Sequence, residues 1–267
     1  MAGNNPAFSR NPEFTRGTLA TTQNISAEQL GEMYNRPSAP VHEPMTMEDT
    51  IVKTVVSFIV LVAGAAVGWI TAEAMPFLWI GAAIVALVLA LVNIFKKKPS
   101  PALVLAYAAV EGVFIGGISR FYEIQFPGVV VQAVVATLVV VGVTLALFAS
   151  GKIRASKKAT KVFMIAMVGY AVFSLVNLGI MLFGGAGGNP WGVRGMDIIP
   201  GVPWGVVIGI FVVILAAYSL VLDFDFIQKG VQNKAPKQYA WTGAFGIMLT
   251  VVWLYLELLR LFAILRD

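Results

Sequence analysis

The sequence predicts an all-α polytopic membrane protein, a bundle of seven transmembrane helices, and three observations carry that prediction. Residues are 58% hydrophobic and only 12% charged, with a mean hydropathy of +0.81 over 267 residues. That is too few charges to solvate a soluble domain of this length. Second, apolar runs of about 20 residues, the length that spans a bilayer, recur along the chain. Third, lysine clusters or Gly-Gly and Pro-Gly pairs punctuate them. The runs are Ile51–Thr71, Pro76–Phe95, Ala102–Phe121, Val129–Ala149, Val162–Phe183, Val202–Ile227 and Trp241–Leu265.

Residues 1–48 precede the first run and are polar, with Pro6, Pro12, Pro37, Pro40 and Pro44. A segment so poor in aliphatics buries too little apolar area to offset its ordering entropy, so a disordered tail is expected. It carries a short repeat, Asn5-Pro6-Ala7-Phe8 and Asn11-Pro12-Glu13-Phe14, and a capping arrangement from Ser26 to Gln29. No charged-then-apolar segment lies near Met1, so no signal peptide is expected. The transmembrane domain is set at 49–267. Its first three runs hold Ala63-Gly64-Ala65-Ala66, Gly81-Ala82-Ala83 and Gly116-Gly117, small residues that permit close helix approach in a membrane. Trp69, Trp79, Trp191, Trp204, Trp241 and Trp253 fall mostly near run ends, where aromatic belts form. The loop Gly184–Pro203, rich in glycine, is expected to be flexible.

Loop charge sets an orientation. Lys96, Lys97 and Lys98 follow the second run; Lys152, Arg154, Lys157, Lys158 and Lys161 follow the fourth; Lys229, Lys234 and Lys237 follow the sixth. The opposite loops carry only Arg120 and Arg194. The basic side is cytoplasmic by the positive-inside rule, which places the N-terminal tail inside and Asp267 outside the cell membrane. The net charge of +5 therefore suits an anionic membrane face, and no nucleic-acid partner is expected. The chain has no cysteine, which excludes disulfides and thiolate metal sites. Its one histidine, His42, lies in the polar tail, which argues against histidine catalysis or a metal cage inside the membrane.

The residues a bilayer resists are the acids inside the runs, and intramembrane acids are functional candidates by default. Glu111 lies midway along the third run, Asp223 and Asp225 near the basic end of the sixth, and Glu257 some sixteen residues into the seventh. At about 1.5 Å per residue these are spread in depth, which suits an ion or proton path better than one catalytic centre. Plainer readings stand beside this one. Asp223 or Asp225 would face cytoplasmic water from a helix end, and Glu257 with Arg260, three residues apart, would form a self-neutralising pair. Arg120 and Glu123 read as an outer-surface pair.

Seven runs, Glu111-Gly112 with Gly116-Gly117, the aspartates ending the sixth run and Leu258-Leu259-Arg260 ending the seventh resemble the Bax-inhibitor family. The long polar tail resembles its bacterial YccA-like branch. The likeness covers about residues 49–267. It implies a bundle with the seventh helix wrapped by the other six, and a pH-sensitive calcium leak gated by paired aspartates on helices six and seven. Carried across, the helix-six aspartate is Asp223, with Asp225 next to it. Two registers compete on helix seven: Leu254-Tyr255-Leu256-Glu257 keeps an acid, whereas Leu258-Leu259-Arg260 puts the acid's position at Thr250. Depth favours Thr250.

The expectation is thus a non-enzymatic calcium leak, with Asp223, Asp225, Glu111 and Glu257 as path and gate, and Thr250 and Arg260 in support. Calcium, a hard cation that takes oxygen ligands, would pass near Asp223 without a fixed metal site, and no cofactor is expected. Partners would be the bilayer, calcium ions and protons. Two alternatives carry different tests. A membrane-embedded regulator of a quality-control protease or other membrane protein would depend on residues 1–48, and a proton-coupled transporter would show uptake driven by a proton gradient.

Overall fold

The protein is described by a computed structural model covering residues 43–183 and 189–267. The tail repeat, the Ser26 capping arrangement, His42 and the Gly184–Gly188 stretch lie outside the described residues. Among those described, seven helices are long and apolar enough to cross a membrane, and the chain is a multi-pass membrane protein. In order they are α1 (Met47–Thr71), α2 (Pro76–Phe95), α3 (Pro101–Gln125), α4 (Val129–Ala149), α5 (Lys157–Leu182), α6 (Trp204–Gln232) and α7 (Ala240–Ile264). A two-residue-paired hairpin, β1 (Asp197–Ile199) and β2 (Val202–Pro203), precedes α6.

Local chemistry starts five of the helices. Thr46 caps α1 by accepting the Asp49 N–H at 3.1 Å, with Glu48 and Asp49 in the first turn, where acids complement the helix dipole. Proline opens α2 and α3, costing no helical hydrogen bond there. Ser156 caps α5. The start of α4 is capped from α3: Glu123 accepts the N–H groups of Gly128 (2.6 Å) and Val130 (3.1 Å). Arg120 pairs not with Glu123 but with Glu73 at 2.5 Å, beneath the Trp69 ring. Helix capping thus claims Glu123 and leaves no surface Arg120–Glu123 pair.

The closest helix pair is α1 with α3. A Cβ on Gly112 would run into the Leu61 carbonyl, and one on Gly116 into that of Ala65. Small residues let the two backbones touch, the packing that serves helices lacking a water-driven hydrophobic effect. The Gly112 and Gly116 positions read as a motif are therefore packing positions. α7 is the most heavily buried helix, packed mainly on α1, α3, α4 and α6. Met248, Leu254 and Leu259 are fully enclosed along it. By contrast, α2 leans mainly on α3, and α5 touches little beyond α6 and the turn before the hairpin. Their outer faces, with Leu87, Ile94, Ile165, Leu175 and others exposed, are what a lipid environment covers.

Two segments outside the helices are ordered by packing. Residues ahead of α1 lie against the α6–α7 loop: the Met45 N–H donates to the Ala235 carbonyl (2.7 Å) and the Lys237 N–H to that of Glu43 (2.8 Å). Met45 is buried against Ile227 and Ala240. The Gly184–Pro203 loop, expected to be flexible, holds a 3-10 turn at Gly192–Gly195 from residue 189 onward. Asn177 of α5 pins it, accepting the Val193 N–H at 2.7 Å and donating to the Trp191 carbonyl at 3.2 Å. Gly192 sits at φ +62 where any side chain would strike Asn177, so glycine is required by both space and backbone.

Candidate functional site

The acids separate into four environments. Asp223 lies on α6 and faces α7. Its carboxylate accepts a hydrogen bond from the Thr250 hydroxyl at 2.7 Å, and Ser219, one turn earlier, lies 3.3 Å from that hydroxyl. Thr250 is buried. Gly246, one turn before it on α7, leaves the room: a Cβ there would stand 3.0 Å from the carboxylate. The carboxylate borders a cavity of ≈ 400 Å³ that reaches Asn93, Lys96 and Lys97 at the basic end of α2. Of the two helix-seven registers, the one using Thr250 is the one that meets Asp223.

Asp225 points elsewhere, as residues two apart on a helix must. It pairs with Lys229 at 2.5 Å, one turn on, and does not reach Thr250. Glu111 is buried at 8% exposure on α3 beside Tyr107. No hydrogen bond or ion pair among the described residues reaches its carboxylate, so only a proton, water or a passing cation would complete it.

Glu257 occupies the other end of α7 and is neutralised twice over. One oxygen accepts from Arg260 at 2.9 Å and from the Tyr170 hydroxyl; the other meets Arg194 at 3.3 Å. Arg194 itself is buried at 4% exposure, donates to the Tyr170 hydroxyl at 2.7 Å, and lies over the Tyr170 and Phe173 rings. The Glu257–Arg260 pair expected from spacing is present, and Arg194 joins it. A residue read as loop charge is thus drawn into the bundle. The structure therefore brings Asp223 and Thr250 together, and leaves Asp225, Glu111 and Glu257 in separate surroundings. Arg194, Tyr170 and Ser219 were not picked out from sequence. The available signal was Glu257: an acid in an apolar run needs a cation, and Arg194 is one of few on that side.

Comparison with known families settles the lineage. The family model described as Bax inhibitor 1 like matches residues 5–267. The chain belongs to that family. A search of curated proteins gave no match. Within a Bax inhibitor 1 like protein, the region of matched sequence includes the described part of the helical bundle and every acid discussed above.

Proposed function

We propose that the protein is a pH-sensitive cation leak of the cell membrane, with calcium as the permeating ion and Asp223 as its gate. The observation that carries this reading is a membrane-embedded carboxylate with a neutral partner, at the edge of a cavity that opens toward one end of the bundle. Such an acid binds either a proton or a cation. With the carboxylate ionised, Thr250 donates to it; once protonated, the acid is itself a donor and the Asp223–Thr250–Ser219 chain must rearrange. Glu111, also free of protein cations among the described residues, is a second oxygen site on the route. Calcium suits both carboxylates and carbonyls. Lys96 and Lys97 stand at the cavity edge and oppose cation entry, which suits a slow leak rather than a conductive channel. The tail is assigned to the cytoplasm and Asp267 to the outside, and the chain to the YccA-like branch, by loop charge and resemblance.

The test is calcium flux in proteoliposomes, across a range from about pH 6 to about pH 8, for wild type, Asp223→Asn and Glu111→Gln. Flux that varies with pH in wild type and loses that variation in Asp223→Asn supports the gate. Absence of flux from pure, folded protein across this range rejects the leak. A second reading, a regulator seated on another membrane protein such as a protease, draws on the sparse packing of α5. Deleting residues 1–48 then abolishes partner capture while leaving any flux unchanged.

A further inference from the structure

At the opposite end of the bundle from Asp223, α3, α5, α7 and residues 190–194 line a second cavity of ≈ 450 Å³. Its polar floor is Arg194, Arg260 and Glu257, two guanidinium groups against one carboxylate. Asp267 lies close by but accepts from the Trp191 indole at 2.8 Å. Glu123 is taken by the N-terminus of α4, and Arg266 by carbonyls of the α3–α4 loop. Among its lining residues the cavity therefore has two guanidinium groups and one carboxylate, with the Asp267 carboxylate held outside the lining at the Trp191 indole. Glu257 has both oxygens engaged and cannot neutralise a second guanidinium further.

The remaining lining says what would. Ser174 also faces the cavity, and its buried hydroxyl has no hydrogen-bond partner among the described residues. Arg260 gives one N–H to Glu257, lies beside the Tyr122 and Tyr170 phenols, and is about one-third exposed. It still has N–H groups to offer, since a guanidinium carries five. Leu178, Met181, Pro190 and Trp191 make the rest of the wall apolar. We infer that this cavity binds an oxyanion group, a phosphodiester or phosphate, held by Arg260 and Arg194 with Ser174 as a further donor.

Depth fits that chemistry. Arg260 lies four residues from the end of α7, roughly 6 Å along the axis, where the headgroup zone of a bilayer begins. α5 packs sparsely beside the cavity, so an acyl chain has a way alongside the apolar wall. Two sources share the chemistry, the headgroup of an anionic phospholipid and free phosphate. Arginine holds such oxyanions through paired N–H bonds that a point charge does not reproduce. The inference does not depend on the leak, because no residue here lines the Asp223 cavity.

The experiment uses the full chain in nanodiscs of phosphatidylcholine with a minor share of phosphatidylglycerol, released into detergent, with retained lipid counted by native mass spectrometry. Wild type should retain phosphatidylglycerol over phosphatidylcholine by about tenfold after correction for their proportions, the scale of one good charge-assisted contact. Arg260→Gln should bring the ratio near parity, Arg260→Lys should fall between, and Ser174→Ala should lower it about threefold. Equal retention of the two lipids by wild type overturns the inference, as does an unchanged preference in folded Arg260→Gln. If Arg260→Gln does not fold, Ser174→Ala decides: a lowered ratio supports the site and an unchanged one rejects it. Inorganic phosphate added to the wild type separates the sources. Displacement of phosphatidylglycerol assigns the site to free oxyanion, and retention assigns it to the headgroup.

Discussion

At the scale of single residues, the same side-chain chemistry has opposite consequences at the two ends of α7. Asp223 has a hydroxyl for a partner, whereas Glu257 has two guanidinium groups and a phenol. Removing the acid of a buried pair leaves its cation stranded, a loss of about 3–5 kcal/mol where the partner is enclosed. Glu257→Gln should therefore lower thermal stability strongly, and replacing Arg194 and Glu257 together by Met and Leu should recover the share due to Arg194 while Arg260 stays unpaired; unfolding in detergent measures both. Thr250→Val tests the other end. It removes one hydrogen bond to a carboxylate, about 1.5–3 kcal/mol by the usual measure, so it should destabilise less than Glu257→Gln. Under the leak reading it should also move the pH profile of flux while Thr250→Ser preserves it. A Thr250→Val profile that overlays wild type would remove Thr250 from the gate.

At the scale of elements, glycine and loop packing decide how the helices meet. Gly112→Leu has no space between α1 and α3, and overpacking of this kind costs about 1–3 kcal/mol or more. The expected outcome is a lower unfolding temperature and, since Glu111 is adjacent, altered flux, whereas Gly81→Ala faces open space and should be neutral. The segment ahead of α1 has a pH sensitivity of its own. The Lys237 ammonium, hydrogen-bonded to Glu43 at 2.8 Å, holds that carboxyl below its ordinary pKa. A carboxyl with a lowered folded-state pKa contributes its stabilisation above the unfolded value and loses it as pH falls through the folded one. The pair is exposed, so the effect is small. The protection factor of the Met45 amide, its exchange rate corrected for the intrinsic pH dependence, should fall on acidification below the carboxylate range and stay level in Glu43→Gln.

At the scale of the whole molecule, hydropathy alone made the seven spans readable, because a bilayer imposes length and apolarity on every one of them. Spacing also made the Glu257–Arg260 pair readable, since both lie on one turn of one helix. What linear order hides is contact across elements. Arg194 stands in a glycine-rich loop whose ordering depends on Asn177 of α5, and Glu123 looks like a surface charge until α4 starts beside it. The choice of Thr250 over Glu257 opposite Asp223 was reachable by counting depth along two helices, which is geometry of the bilayer rather than of sequence. The lysines at the edge of the Asp223 cavity yield a test at this scale. Replacing Lys96 and Lys97 together by Gln should raise cation flux about threefold or more at low ionic strength, with less effect in high salt. An unchanged rate would mean that ions do not enter there.

The seating of Met45 has a consequence for biosynthesis. Its partners, Ile227, Ala235 and Ala240, are synthesised only after five further helices have followed Met45 out of the ribosome. While most of the chain is being threaded into the bilayer, that side chain and the donors around it wait without cover. The seam closes only after helix six has turned back through its basic loop and helix seven has begun. The segment ahead of helix one and the loop between helices six and seven are thus joined by a clasp that fastens late, and a chain truncated before residue 235 would be left with it open.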